Sequence, residues 1–194
     1  MAGRFEALSG GGAAVELDEV EVSILRSLAV QLMELIGPGD EPVEGEDPLA
    51  ALFAEGPSEA PSDPALKRLF PDAYADESEE LRSAAADFRR FTENDLRARK
   101  RQDAHAVIRS LDALTPTGED GAVLKLTADE SQAWLGALND LRLTIGTRLE
   151  VTDEDESGEL YRLPDSDPRK PMVMAYLWLG ALQESLVETL MSGI

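Results

Sequence analysis

From Ser78 to Leu114 the chain runs through 37 residues without a proline or a glycine. Nothing there interrupts a helix, so the stretch predicts one long helix, closed by Pro116 and Gly118. At 1.5 Å per residue it would reach about 55 Å, more than the width of a compact domain. Either it bends near Thr92–Asp95 or one end stands out from the body.

The other elements are shorter. Arg4–Leu8 and Ala13–Leu17 alternate like strands around Ser9-Gly10-Gly11-Gly12, which predicts a β-hairpin. Asp18 then caps a helix, with Glu21 completing a capping box. That helix places Val22, Leu25, Leu28, Ala29, Leu32 and Ile36 on one face and stops at Gly37-Pro38. Asp63–Phe70 reads as a short helix ended by Pro71, and Val123–Leu126 as a short strand. Thr127 and Glu130 form a second capping box, opening a helix to about Leu149 with Trp134, Leu138, Leu141 and Ile145 inward. After a turn region at Pro164–Pro171, Met172–Met191 forms a last helix. Its expected inward face carries Met174, Leu177, Trp178, Ala181, Leu182, Leu186 and Leu190.

A shift of 109 residues lays the first strand–helix unit on the third. Val15 meets Leu124, Leu17 meets Leu126, and the caps Asp18 and Thr127 coincide, as do Glu21 and Glu130. Further on, Leu25 meets Trp134, Leu32 meets Leu141, Ile36 meets Ile145 and Gly37 meets Gly146. Any capped amphipathic helix after a strand resembles any other to this degree. The alternative is a pseudo-symmetric core in which the two units pack side by side and pair their strands. Either way the fold class is mainly α, a helical bundle with a small β element, hairpin plus one short strand, at its edge.

At 194 residues the chain is one domain's worth, read as a single domain over 1–194. A mobile acidic linker at 37–63 and an acidic loop at 150–166 interrupt it. Gly37–Asp63 holds eight acidic residues and no Lys or Arg, with five prolines and four glycines. That composition supports no long helix or strand, only a short helical turn at Pro48–Phe53. Glu150–Leu160 adds six more acidic residues, so the two runs hold 14 of the net 21 negative charges. The folded body is only moderately acidic.

Composition excludes whole classes of function. Without cysteine there is no disulfide, thiolate metal site or thiol nucleophile. The start MAGRFEALSGGG lacks the apolar run of a secretory signal, and Met172–Leu182 is too short to span a bilayer. A sequence pI near 4.3 argues against non-specific binding to nucleic acid or anionic membrane. These features predict a soluble cytoplasmic protein.

Catalytic motifs are missing too. His105, the single histidine, lies within the long helix with no nucleophile motif nearby and reads as a surface or partly packed residue. Gly10-Gly11-Gly12 has no lysine after it and reads as a hairpin turn rather than a phosphate cradle. Asp153–Leu160 imitates the start of a calcium loop, but position twelve is Pro164 where a bidentate Glu belongs. No catalytic residue, metal ligand or cofactor is expected, and an enzyme is the third choice of class.

One segment opposes the overall charge. Arg89, Arg90, Arg97, Arg99, Lys100 and Arg101 fall within 13 residues of the long helix, a third of all cations. Glu93 and Asp95 stand at i±4 positions that partly neutralise them. The segment reads either as an exposed face laced with ion pairs or docking the chain's own acidic runs, or as a partner-binding surface formed by Arg89, Arg90, Arg97, Lys100 and Arg101. Met172, Met174, Trp178 and Met191 on the last helix read as core, with an adaptable partner surface as the alternative.

In the order of its pieces the chain resembles the AosR family of actinobacterial oxidative-stress transcriptional regulators, formerly a domain of unknown function. The resemblance lies in ELDEVEVSILRSLAVQLMELI, DPALKRLFPDAY, DFRRFTENDLRARKRQDAHAVIRSLDAL, LTADESQAWLGALNDLRLTIGTRLEV and YLWLGALQESLVETL. It implies a transcription-associated protein of the stress response that works with a sigma factor or RNA polymerase and meets DNA only within such a complex. Thiol-based sensing does not carry over, because this chain has no cysteine. The expected function is therefore a non-enzymatic regulator acting through protein partners. The alternative is a structural or adaptor protein without DNA or polymerase involvement, homodimeric through the last helix.

Overall fold

The computed structural model describes residues 3–38, 56–74, 78–114, 121–152, 158 and 160–192. Most of the acidic linker, including the turn expected at 48–53, lies outside them, as do residues 153–157 of the calcium-like run. The described elements are β1 (Glu6–Ala7), β2 (Ala13–Leu17), α1 (Glu19–Ile36), α2 (Pro64–Leu69), α3 (Glu79–Asp112), β3 (Ala122–Leu126), α4 (Ala128–Arg148), a 3-10 turn (Leu160–Arg162) and α5 (Lys170–Ser192). The architecture is a helical bundle with a three-stranded antiparallel sheet at its edge, in the order β1-β2-β3.

The hairpin forms where alternation and glycine predict it, though β1 is only two residues long. Its turn is closed by Leu8 N–H to the Gly12 carbonyl at 2.8 Å, and Gly10 and Gly11 adopt φ of 110° and 85°, where a side chain would be strained. In β2, Ala13, Val15 and Leu17 face the core, and in β3 Ala122, Leu124 and Leu126 do the same. Alternation with period two buries one face and leaves Glu16, Val123 and Lys125 outside.

The two strand–helix units pair as a pseudo-symmetric core requires. β2 and β3 are antiparallel, and the register runs from Ala13↔Leu126 to Leu17↔Ala122 with Val15↔Leu124 at its centre. Behind them, the buried residues Leu25, Ala29, Leu32 and Ile36 of α1 correspond under the same shift to buried Trp134, Leu138, Leu141 and Ile145 of α4. Both capping boxes are closed, Asp18 with Glu21 and Thr127 with Glu130. Two glycines extend the correspondence. A Cβ on Gly12 would stand 2.2 Å from the Leu126 carbonyl oxygen, and one on Gly121 would stand 2.7 Å from that of Leu17. Each strand approaches the other's helix cap where only glycine fits.

The proline-free stretch is a single helix, α3, capped by Ser78 and unbroken through Thr92–Asp95. Its C-terminal half contributes Ala104, Val107, Ile108 and Leu111 to the core. At the centre, Trp134 is fully buried, meets Phe5 edge-on at 6.1 Å, and donates its indole N–H to Ser110 Oγ at 2.9 Å. The backbone of Phe5 is held by α5, donating to Ser185 Oγ at 3.3 Å and accepting from Thr189 Oγ1 at 3.0 Å.

One expectation fails. α5 does not turn Met174 and Ala181 inward: both are exposed, and Val173 and Leu179 are buried instead. Leu182 and Leu186 are buried as expected, while Leu177, Trp178 and Leu190 are half-buried. The helix is apolar on nearly every side, so spacing alone cannot choose which side packs.

Candidate partner-binding site

The basic segment of α3 is an internal network. Arg89 is only 4% exposed, and its guanidinium donates to Glu93, to the Phe70 carbonyl at 2.9 Å and to Asp72 Oδ1 at 2.9 Å. Glu93, equally buried, accepts from Arg97 Nη2 at 2.7 Å through its other oxygen. Arg97 also donates to the Ile36 carbonyl and lies 4.4 Å over the Phe70 ring. Arg101 Nη1 donates to the Gly37 carbonyl at 2.6 Å. Two cations thus hold the end of α1, where carbonyls lack helical partners and the helix dipole favours positive charge.

Further along, Lys100 Nζ sits 2.6 Å from Asp140 Oδ1 on α4. Arg90, half-buried, pairs with Asp87 at 3.1 Å and stacks 4.9 Å from the Phe91 ring. So the exposed basic surface expected of Arg89, Arg90, Arg97, Lys100 and Arg101 is largely occupied from within. Besides Glu93 and Asp87 on α3 itself, the acceptors are Phe70, Asp72, Ile36, Gly37 and Asp140, on segments far apart in sequence.

Next to this network lie two perturbed carboxyls. Burial raises Asp140 above the usual carboxylate range, against the opposing hydrogen bond and charge of Lys100. Burial also raises Asp103, opposed by Arg99, with Asp140 adding to the rise. Asp103 fits against α4 because residue 136 is glycine, where a Cβ would lie 2.6 Å from its Oδ2. His105 is exposed and stands apart from them in the burial pattern. Among the described residues no group of three or more His, Asp or Glu gathers where a metal ion would be held.

The last helix, read from sequence as core with a partner surface as the alternative, also exposes apolar residues. Met172, Met174 and Met191 are 44%, 53% and 72% exposed, the opposite of the core placement expected of them. Beside α5 runs an open groove of about 770 Å³, lined by Leu177, Gly180, Ala181, Val187, Tyr176 and Arg142 among others. Arg142 is fixed in the wall, donating to Gln183 Oε1 at 2.6 Å and lying 5.4 Å over the Tyr176 ring. Met174, Leu177 and Ala181 follow the i, i+3, i+7 spacing of one helix stripe, and Glu184 lines the acidic side of the groove. Gly180 is where Arg142 packs over α5, with its Nε 3.5 Å from where a Cβ would stand, so the face left open is the apolar stripe of Met174, Leu177 and Ala181.

A second exposed apolar pair, Phe88 and Phe91, lies on the outer side of α3 at 53% and 66% exposure. No described groove accompanies it, and Gly56 already occupies the adjoining helix edge, donating to the Arg90 carbonyl at 2.8 Å. Among the described residues no helix is long and apolar enough to cross a membrane.

Residues 2–190 match the family model described as a domain of unknown function, DUF2017. The chain is 30% identical over 187 residues to the oxidative stress regulator AosR of Mycobacterium bovis, covering 89% of this chain and 79% of that one. The same values relate it to the oxidative stress regulator AosR of Mycobacterium tuberculosis. A Mycobacterium leprae protein provisionally given the same name is 31% identical over 183 residues, with the same two shares of 89% and 79%. No solved structure matches the chain.

Proposed function

The chain belongs to the DUF2017 family and is kin to the AosR oxidative stress regulators, and from that footing we propose a regulator that acts through a protein partner docked along α5. The regulatory role is what the relatives' names support. The reading adds that the chain is not an enzyme, that it works in the cytoplasm, and that the partner belongs to the transcription machinery, a sigma factor or RNA polymerase.

The observation that carries it is the groove lined by Leu177, Gly180 and Ala181, with exposed Met174 three residues before Leu177 on the same helix stripe. Methionine suits an adaptable apolar surface, and a soluble protein has little other use for such a stripe outside its core. Charge supports a basic partner. A chain of net charge −21 repels a second copy of itself, and Glu184 beside the groove offers an anion to a partner cation. DNA held directly by this chain fits poorly, because Arg89, Arg97, Lys100 and Arg101 are engaged inside the fold.

The test is capture of purified RNA polymerase holoenzyme carrying a stress sigma factor by the immobilised full chain. Capture should survive nuclease treatment and fall at least tenfold with Ala181→Glu, a change at an exposed position that spares the core. Loss of capture on nuclease treatment would instead mean that DNA bridges the two.

A further inference from the structure

Arg142 lacks a counter-charge in a chain of 39 acidic residues and 18 cations. Among the described residues, every other Arg or Lys drawn in from solvent meets a carboxylate or a backbone carbonyl. Arg89, Arg90, Arg97 and Lys100 pair with carboxylates, and Arg101 and Lys170 donate to carbonyls. Half-buried Arg142 has the neutral amide oxygen of Gln183 at 2.6 Å, and its Nε is buried with no acceptor. Half-burial strips water from a guanidinium, and one amide dipole offsets that loss only in part.

Its position is nonetheless held. Gln183 turns its oxygen to Arg142 and its Nε2 to Asn139 Oδ1 at 3.5 Å, and the Tyr176 ring lies 5.4 Å from the guanidinium carbon. A Cβ on Gly180 would stand 3.5, 3.7 and 3.8 Å from Nε, Cζ and Nη2, near-equal distances that lay the guanidinium flat on α5. Its donors then point edgewise. Gln183 takes one from Nη1, while Nη2 makes no hydrogen bond among the described residues, and Arg142 lines the groove. A guanidinium already fixed loses little further freedom when an anion arrives.

We infer that Arg142 receives a carboxylate, an Asp or Glu side chain that a docked peptide segment carries among apolar residues. Charge favours carboxylate over phosphate. Glu184 and the Arg4-bound Glu188 line the same groove, so a phosphate dianion meets like charges against a single guanidinium, whereas a carboxylate brings one charge. Leu177, Ala181 and Val187 share the lining and suit apolar neighbours of that acid. A charge-assisted hydrogen bond to Nη2 then supplies the counter-charge that Gln183 does not. Exposed Glu184 remains open to a partner cation, so the expected segment carries both signs. This assignment rests on the docking reading of the same groove and needs no particular partner.

The probe is 4-methylpentanoate, a carboxylate on a leucine-like branch, titrated onto the full chain with nuclear magnetic resonance of arginine Nε–H and leucine methyl signals. The matching amide, 4-methylpentanamide, and inorganic phosphate are the controls. The acid should shift Arg142 Nε–H and a Leu177 methyl along one saturable curve, with both controls weaker by about tenfold or more. Glu184→Gln, a change at an exposed position, should tighten the acid by about twofold, because it removes a like charge from the groove. Arg142→Gln should bring acid and amide to the same affinity. If that variant fails to fold, the parent's selectivity and Glu184→Gln still decide. Equal affinity of the parent for acid and amide would overturn the inference, as would a shift at exposed Arg99 equal to that at Arg142. Tighter binding of phosphate than of the acid, or no gain in Glu184→Gln, would overturn it too. Failed holoenzyme capture with this selectivity intact removes that partner and leaves the site; capture without the selectivity removes the site and leaves the partner.

Discussion

Val15 and Leu124 are paired at the centre of the β2–β3 ladder, and they stand 109 residues apart in the chain. Because the ladder is antiparallel, the pairing relates two strand–helix units by a local two-fold arrangement. The shift that superposes the strands also superposes the caps, the four buried positions of α1 on buried positions of α4, and Gly12 on Gly121. The core is two similar halves clasped through their strands, with α3 packed against both α1 and α4, and α5 packed against α4.

The clasp depends on close backbone approach. Gly12→Ala and Gly121→Ala should each destabilise the fold by about 2 kcal/mol, because the clashing atoms are carbonyl oxygens that have little room to yield. Residue 121 also needs a φ of 99°, so its variant should be the worse of the two. Urea denaturation of the two variants checks this; near-parental stability of both would remove the clasp from the account.

The Arg89–Glu93–Arg97 network is structural, and mutation should show it. Glu93→Ala leaves two guanidiniums without their shared anion and should cost about 3 to 5 kcal/mol. Arg97→Glu should lower the melting temperature strongly, since it also removes the donor to Ile36 and the cation over Phe70. Calorimetry on the isolated protein makes the distinction. A partner-binding residue on a free face would change affinity and leave that melting temperature where it was.

Lys100 and Asp140 supply a pH-dependent prediction. Asp140 holds its proton to higher pH in the folded chain than in the unfolded one, chiefly through burial. Its contribution is therefore fully present below the unfolded value and is lost as pH rises through the raised folded value. Lys100→Met removes the hydrogen bond and the charge that oppose burial, so the carboxyl rises further. The variant should lose about 3 kcal/mol near pH 7 and recover part of it toward acid, where Asp140 is protonated. Asp63 and Asp112 have the opposite sign, held low by Arg148 and Arg26, and both weaken the parent and the variant alike on acidification. Denaturation curves of parent and variant across the acid range therefore report the buried Asp140 together with Asp103, which Lys100 also holds down; a gap between them that is constant with pH would refute the assignment.

Much of the fold was legible because its cues are local. Ser78, Asp18 with Glu21, and Thr127 with Glu130 mark helix starts, and alternation with flanking glycine marks β2 and β3. The echo was legible as a pattern, but only the Val15–Leu124 register shows that the halves meet. Two features were beyond local reading. Glu93 between Arg89 and Arg97 was visible at i±4, yet their burial depends on Phe70, Asp72 and Ile36, brought in by other segments. On α5 the apolar residues surround the helix, so periodicity could not tell that Val173 and Leu179 pack while Met174 and Ala181 face out. For that reason spacing favours the core reading of the α5 methionines over the partner-surface alternative.

The central claim is that the partner seats on α5 and not on α3. It is tested most directly by titrating purified holoenzyme onto the full chain and comparing Ala181→Glu with Phe88→Ser/Phe91→Ser, all of them exposed positions. Tenfold or greater weakening by Ala181→Glu, with parental affinity for the phenylalanine double variant, is the predicted result. Parental affinity in Ala181→Glu together with loss in the double variant would contradict it and move the site to α3.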